Sequence, residues 1–166
     1  MNEPARVFLS AGSNLGDRKG YLAGAVRALE SAGVKVVQVS PVYETEPVGV
    51  HEQPWFLNIA VEAATRLTPR QLLDCCLGIE AEQGRRRPYP GAPRVLDLDV
   101  LLYNGLVIDE PGLQIPHPHM TERRFVLEPL VCIAPRAIHP VLGATMDRLL
   151  AACPDRSRVT VHSEMP

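Results

Sequence analysis

Two segments with strand character, 34–45 and 55–65, follow each other in the sequence with only a short loop between them. The first segment is rich in valine, and the second alternates large apolar residues with smaller or polar ones, which is typical of β-strands. A doubly wound parallel sheet requires a helix between each pair of strands, and the loop at 46–54 contains prolines and a glycine instead. The two successive strands therefore favour an antiparallel sheet.

The elements on either side of this pair extend the pattern. A short apolar strand at 7–10 precedes a helix that Asp17 can cap, and a second helix begins at the capping box of Thr68 and ends at Gly84. Residues 94–103 form a further strand. The order strand, helix, strand, strand, helix, strand is that of the split βαβ, ferredoxin-like fold, an α+β fold with a mostly antiparallel sheet.

The last third of the chain is less regular. Asn104-Gly105 predicts a hairpin whose return strand is 106–108. An irregular stretch is expected at 111–120. Residues 124–133 are expected to be helical only in part, before and after Pro129, because proline interrupts a helix. A short helix at 145–152 and a polar, weakly determined tail at 155–166 follow.

Composition excludes several classes of protein. The 166 residues carry a net charge of −2, so no domain-wide basic field would drive nucleic-acid binding. The four cysteines form no CxxC pair, which argues against a zinc knuckle or a disulfide framework. No secretory signal or membrane span is visible. We expect a single cytoplasmic domain, 1–166, with no nucleic-acid ligand, no membrane contact and no obligate protein partner.

Asp97 and Asp99 stand two residues apart within an otherwise apolar strand. Because side chains alternate across a strand, both carboxylates lie on one face, together with Leu101. Adjacent carboxylates repel each other, and oxygen ligands suit Mg²⁺ or Mn²⁺. The alternative is a pair of solvated acids on the exposed face of the strand. The arginines just upstream favour a site for a metal and a phosphate.

Two basic motifs also have both a functional and a structural interpretation. Arg85-Arg86-Arg87 can grip phosphate oxygens, or it can form a solvated turn. His117 and His119 could contribute to a zinc site, but no third ligand stands at a suitable spacing. A histidine that donates to a phosphate and a histidine that only occupies a turn remain open alternatives.

Phe56 and Asn58 share one face of the strand 55–65. An aromatic ring beside a carboxamide can bind a planar heterocycle, although core packing of Phe56 is the alternative. The glycine-containing segment 12–17 lacks the ending of a phosphate-binding P-loop and is interpreted as a structural turn. No nucleophile stands out. Paired acids and arginines favour a metal-assisted phosphoryl-type transferase over an RNA-binding module on the same architecture, which would need more aromatic residues.

Several of these segments together resemble one enzyme family. Segment 91–101, GAPRVLDLDVL, resembles the G-P-R-x-L-D-L/I-D-I/L motif of the 6-hydroxymethyl-7,8-dihydropterin pyrophosphokinases, with Ala92 as a one-residue insertion. Segment 116–120, PHPHM, with Arg123 and Phe125 resembles the second block of that family. The match extends from 9–16 through TEPVG at 45–49 and Asn58 to 125–130, in the same order.

The resemblance implies a reaction and a set of ligands. The family transfers pyrophosphate from ATP to the hydroxymethyl oxygen of a reduced pterin, releasing AMP, in folate biosynthesis, and its fold has three layers, α/β/α. By the same resemblance, two Mg²⁺ ions are held by Asp97 and Asp99. The matched positions divide into a catalytic set (Arg85, Arg94, Asp97, Asp99), an ATP-binding set (Glu80, Arg87, Arg94, His117, Arg123) and a pterin-binding set (Thr45, Val48, Phe56, Asn58, Asp97, Phe125).

Overall fold

An antiparallel six-stranded sheet forms the centre of the computed structural model, which describes residues 3–48, 52–83 and 95–165. Its strands are β1 (Ala5–Ser13), β2 (Lys35–Val39), β3 (Val42–Thr45), β4 (Phe56–Thr65), β5 (Asp97–Tyr103) and β8 (Val159–Ser163). The helices are α1 (Arg18–Ser31), α2 (Pro69–Glu82), α3 (Arg124–Ile133) and α4 (Met146–Ala151), and a 3-10 turn covers Met120–Glu122. A separate two-stranded ribbon pairs β6 (Ile108–Glu110) with β7 (Leu113–Ile115).

The strand order confirms the ferredoxin-like prediction. The order is β5-β1-β4-β3-β8, and β2 pairs with β4 alongside β3. Every described pairing in the sheet is antiparallel. If β2 and β3 are counted as one strand, the first six elements form the split βαβ arrangement.

Helices cover both faces of the sheet, so the molecule has three layers. Alternate β1 residues, such as Val7 and Leu9, pack with α1 and α2 in one core. Phe8 points to the opposite face and packs with α3 and α4 in a second core, which contains Leu127 and Leu130. Within the described residues, no helix is long and apolar enough to cross a membrane.

The predicted caps of the first two helices are confirmed. The Asp17 carboxylate accepts a hydrogen bond from the Gly20 backbone N–H at 3.1 Å, and Gly33 follows α1 with a φ of 86°. Thr68 and Gln71 form the reciprocal capping box that starts α2. The expected end of α2 at Gly84 lies outside the described residues.

The valine-rich segment forms two strands, where the sequence predicts one. The break falls at Ser40-Pro41, because Pro41 has no N–H to donate to a neighbouring strand. The Ser40 side chain instead accepts a hydrogen bond from the backbone N–H of Ala60 at 2.9 Å. Both strands still pair with β4, so the break leaves the topology unchanged.

The predicted return strand at 106–108 is wrong. Asn104 has a φ of 51°, and its side chain accepts a hydrogen bond from the backbone N–H of Arg6 on β1. The chain therefore leaves the sheet after β5, and the hairpin forms later, where Gly112 adopts a φ of 77° between β6 and β7. The positive φ that a tight hairpin turn needs is supplied by this glycine.

The predicted interruption of the helix at Pro129 is also wrong, because α3 runs from Arg124 to Ile133 without a break. A proline removes one intrahelical hydrogen bond. Burial of Val126, Leu127 and Leu130 in the second core offsets that loss. The tail, from which no element is expected, contains β8, which pairs with β3.

Candidate active site

Three neighbouring strands align the principal polar side chains of the site. Gly12 on β1 lies opposite Asp97 on β5 and opposite Asn58 on β4. Strands in a sheet are about 4.8 Å apart, so Asp97 and Asn58 flank the glycine at roughly 10 Å from each other. Because Gly12 has no side chain, the space between them forms the floor of a cavity.

A small cavity of about 180 Å³ opens over this floor. All six predicted pterin-binding residues line it, namely Thr45, Val48, Phe56, Asn58, Asp97 and Phe125. Ser10, Gly12 and Gln53 line it as well, and the sequence analysis missed them. The alternation of small residues at Ser10 and Gly12 along an otherwise apolar strand was a signal for the first two. Gln53 had no comparable signal.

Hydrogen bonding and packing orient the Asn58 carboxamide. Its Nδ2 donates to the Thr45 hydroxyl at 2.7 Å, and both side chains are buried. A Cβ on Gly12 would lie within 2.4 Å of the Asn58 Oδ1. Glycine at position 12 therefore leaves the space that the Asn58 carboxamide occupies.

A larger cavity of about 850 Å³ lies on the other side of the two acids. Its walls come from α2, β5, the β6–β7 ribbon and the segment after β7. The candidate residues Glu80, His117 and Arg123 line it. Asp97, Asp99 and Arg123 line both cavities, so the two spaces meet at these three side chains.

Glu80 connects α2 to the strand that carries the acids. It is only 3% exposed, and its Oε2 accepts a hydrogen bond from the Leu98 backbone N–H at 2.8 Å. Leu98 stands between Asp97 and Asp99, so this contact fixes the backbone from which both carboxylates project. A direct contact of Glu80 with nucleotide stays a prediction.

His117 lies at the wall of the large cavity as a neutral imidazole. Burial lowers the pKa of His117 to about 4, and the positive charge of Arg123 adds to the effect. Its Nδ1 accepts a hydrogen bond from the His119 backbone N–H at 3.1 Å, which places the ring proton on Nε2. A neutral Nε2–H is suited to donate to a phosphate or a ribose oxygen.

Arg123 is the one candidate phosphate-binding arginine among the described residues. Its guanidinium carbon stands 5.7 Å from the centre of the Phe125 ring, so a cation–π contact holds it beside the small cavity. The other candidates, Arg85, Arg87 and Arg94, lie outside the described residues, as does the triple-arginine motif as a whole.

The turn that joins β1 to α1 holds one wall of the small cavity. Asn14 is buried, and its Nδ2 donates to Gln53 at 2.9 Å and to the Pro54 carbonyl at 3.0 Å. Arg18 donates to the Trp55 carbonyl at 2.8 Å. These contacts, which anchor the segment entering β4, agree with a structural turn at 14–17. The predicted turn began too early, because Gly12 and Ser13 belong to β1.

Two carboxylates can contribute to a metal site here. Asp97 and Asp99 are half-buried on one face of β5, as the alternation predicts. The described residues contain no group of three or more histidine, cysteine or acidic side chains placed to hold a metal. Mg²⁺ commonly takes one or two carboxylates from a protein and its other ligands from substrate phosphates and water, so the donor set fits that cation.

Comparison with known proteins identifies a consistent set of relatives. A family model described as 7,8-dihydro-6-hydroxymethylpterin-pyrophosphokinase (HPPK) matches residues 8–135. The "2-amino-4-hydroxy-6-hydroxymethyldihydropteridine pyrophosphokinase" of Methylorubrum extorquens is 46% identical over 147 residues, covering 88% of this chain and 92% of the relative. The Bacillus subtilis protein of the same name is 45% identical and covers 86% of each chain.

A solved structure supports the fold. A crystal structure of Plasmodium falciparum HPPK-DHPS matches with a TM-score of 0.77 at 16% identity, over 91% of this chain. The match spans 46% of that solved chain, so this chain corresponds to about half of it. At this identity the likeness concerns the fold.

Proposed function

Since the chain belongs to the 7,8-dihydro-6-hydroxymethylpterin-pyrophosphokinase family, we propose that it transfers pyrophosphate from ATP to the hydroxymethyl oxygen of 6-hydroxymethyl-7,8-dihydropterin. The reaction breaks the bond between the β-phosphorus and the oxygen that bridges it to the α-phosphate, and it forms a bond from the pterin oxygen, which loses its proton, to the same phosphorus. AMP leaves with the bridging oxygen. The observation that carries the proposal is the shared wall, because Asp97, Asp99 and Arg123 line both cavities.

The small cavity is assigned to the pterin. Its buried Asn58 carboxamide can pair with the donor and acceptor edge of a pyrimidinone ring, and Thr45 holds that carboxamide in one orientation. Phe56 and Phe125 both line the cavity and supply aromatic faces for a planar ring. Asp97 lies on the other side of Gly12 from Asn58. A pterin ring paired with Asn58 would therefore direct its hydroxymethyl group towards Asp97 and Asp99.

The large cavity is assigned to ATP. Its size suits a nucleotide, and the neutral His117 can donate from Nε2 to an oxygen of the triphosphate or the ribose. Arg123 offsets phosphate charge at the junction between the two cavities. Arg85, Arg87 and Arg94 are further phosphate-binding candidates by resemblance alone.

Catalysis in such a site depends on positioning and charge neutralisation. Asp97 and Asp99 would hold up to two Mg²⁺ ions, which when bound with ATP neutralise the phosphate oxygens and orient the β-phosphorus. Glu80 keeps the backbone of β5 in place, and the Gly12 floor sets the separation between the carboxamide and the acids. These contacts bring the pterin hydroxyl and the phosphate chain together.

Release of AMP from ATP, Mg²⁺ and the reduced hydroxymethylpterin tests the activity directly. The Asp97→Asn variant keeps the shape of the side chain and removes its charge, so we expect turnover to fall by at least about 1,000-fold while the fold is retained. Asp74→Asn, an exposed acid on α2 outside both cavities, is the matched control. Full turnover in Asp97→Asn, or no AMP from the unmodified chain, would contradict the proposal.

A further inference from the structure

The segment 155–158 lies beyond the part of the chain that the family model matches, residues 8–135. It connects α4 to β8, and its hydrogen bonds lead to residues at the small cavity. Its contacts reach two different walls of that cavity, which come from distant parts of the sequence. We call these four residues the C-terminal brace.

One end of the brace holds the wall that follows β3. The backbone N–H of Arg158 donates to the Glu46 carboxylate at 2.7 Å, and the backbone N–H of Glu46 donates to the Arg158 carbonyl at 3.1 Å. The Arg158 guanidinium also lies over the indole ring of Trp55, 5.2 Å from its centre. Glu46 and Trp55 stand at the two ends of the connection from β3 to β4, and Glu46 lines the cavity.

The other end of the brace holds the start of α3. The Asp155 carboxylate accepts a hydrogen bond from the backbone N–H of Arg124 at 3.0 Å. The Arg124 guanidinium donates to the Ser157 carbonyl at 2.9 Å. Phe125, which also lines the cavity, is the next residue in the chain.

The Asp155 carboxyl group is held in its charged form. Burial tends to raise the pKa of the Asp155 carboxyl, but hydrogen bonds from Ser157 and from the backbone of Arg124 outweigh burial and lower it below its usual range. A charged acceptor also complements the exposed N–H groups at the N-terminus of α3. Asp155 therefore caps α3, because Arg123, the residue at the N-cap position, makes no side-chain capping hydrogen bond.

We propose that the C-terminal brace is a positioning element for the pterin site, setting the separation between the Glu46 wall and the Phe125 wall. None of its residues lines the cavity, so it acts through the residues it holds. The inference rests on the assignment of the small cavity to the pterin. It predicts that loosening the brace weakens pterin binding more than nucleotide binding, because Glu46 and Phe125 line the small cavity and not the large one. Arg123, next to the braced residue, lines both cavities, but most of the large cavity is lined by α2, β5, the ribbon and the segment after it.

Ligand binding separates this role from a general effect on folding. Pterin affinity would be measured at saturating Mg²⁺ and α,β-methylene-ATP, whose bridging carbon blocks the bond that the reaction breaks. The affinity for the ATP analogue would be measured separately. Asp155→Ala loses the hydrogen bond to the Arg124 backbone N–H at the start of α3. We expect its pterin Kd to rise about ten-fold, as for the loss of a hydrogen bond to a charged group. The Kd of the analogue should change less than about two-fold.

Two further variants sharpen the test. Arg158→Ala removes the cation–π contact with Trp55 and keeps the backbone hydrogen bonds, so we expect a rise of about three-fold in the pterin Kd. Arg156→Ala is the matched control, because Arg156 is exposed and makes no hydrogen bond or ion pair within the described residues. In the double variant Asp155→Ala/Arg158→Ala, the rise in the pterin Kd should be smaller than the product of the two single rises, because either substitution alone already loosens the same segment.

The outcomes distinguish the brace from the function on which it rests. If the unmodified chain produces no AMP, the proposed function fails. If the unmodified chain is active and Asp155→Ala binds pterin normally, the brace proposal is overturned. An equal loss of affinity for pterin and ATP analogue in Asp155→Ala would also overturn it, because that pattern reports general destabilisation.

Discussion

Gly12 shows how a single hydrogen atom in place of a side chain shapes the proposed pterin site. Its neighbours on the adjacent strands are Asp97 and Asn58, and the Asn58 carboxamide oxygen occupies the space that a Cβ would need. The sequence alone assigns this glycine to a turn. Its role becomes visible only when the register of β1 against β4 is known, because the contact joins residues that are distant in the chain.

The Gly12→Ala variant tests this steric argument. A methyl group 2.4 Å from the Asn58 Oδ1 forces the carboxamide away from Thr45, so we expect the KM for the pterin to rise about ten-fold or more. The KM for ATP should change little. Steady-state kinetics with each substrate varied in turn measures both. Gly78→Ala, at an exposed helical position with open space around it, is the matched control. Equal changes in both KM values would refute the steric argument.

His117 links the large cavity to the pH dependence of stability. The folded protein excludes the proton from this histidine until the pH approaches about 4, whereas the unfolded chain accepts it near 6.5. The unfolded state therefore binds more protons between these values, and stability is lost as the pH falls from about 6.5 towards about 4.

Urea unfolding at pH 7 and pH 5 measures this contribution. We expect the unmodified protein to lose about 1 kcal/mol more free energy of unfolding across this interval than His117→Gln does, a figure reduced to allow for partial solvent exposure. His162→Gln replaces an exposed histidine on β8 and should keep the full pH dependence. The assignment to His117 fails if both variants respond to pH as the unmodified protein does.

At the scale of elements, the contact of α2 with β5 aligns the strand that carries the two proposed metal ligands. The Glu80 carboxylate is buried and accepts from the Leu98 N–H between the two acids. Glu80→Ala leaves that N–H without its acceptor, so we expect a loss of about 2 kcal/mol in stability together with reduced turnover. Glu80→Gln keeps an acceptor oxygen.

The comparison of the two Glu80 variants isolates the hydrogen bond from the charge. If the contact is structural, Glu80→Gln should keep most of the stability and most of the ATP affinity. Thermal unfolding and equilibrium binding of an ATP analogue measure the two properties. A large loss of ATP affinity in Glu80→Gln with unchanged stability would instead show that the charge itself acts on the nucleotide.

The elements also show where local sequence patterns suffice and where they do not. Alternation places Asp97 and Asp99 on one face of β5, and the caps at Asp17 and Thr68 start the predicted helices, because these features depend on nearest neighbours. The continuity of α3 through Pro129 depends on tertiary burial. β8 depends on pairing with β3, more than one hundred residues earlier in the chain, as the Thr45–Val159 pair illustrates.

At the scale of the whole molecule, the fold was predictable because the order of periodic segments admits few topologies. The motifs and their resemblance to a family also located six of the residues that line the small cavity. The two-cavity arrangement was not predictable, because it arises where both helical layers, the sheet and the β6–β7 ribbon meet. Ser10 lines the small cavity, and Asp155 contacts the start of α3 beside it, through such long-range contacts.

The shared wall predicts that the two substrates bind cooperatively. Asp97 and Asp99 line both cavities. The repulsion between their two negative charges disfavours the binding of a ligand beside them until a cation compensates these charges. We therefore expect Mg²⁺ with α,β-methylene-ATP to lower the pterin Kd by about ten-fold or more. Because binding free energies are linked, pterin must lower the Kd of the analogue by the same factor.

Titration calorimetry of each ligand, with and without the other, measures this coupling. AMP with Mg²⁺ is the matched control ligand, because it lacks the β- and γ-phosphates and should leave the pterin Kd nearly unchanged. Chelation of the metal should remove the coupling, and Asp99→Asn should reduce it, since this variant takes one carboxylate from the shared wall. If the pterin Kd is the same with and without the metal-bound analogue, the acids do not couple the two cavities, and each substrate binds its own wall independently.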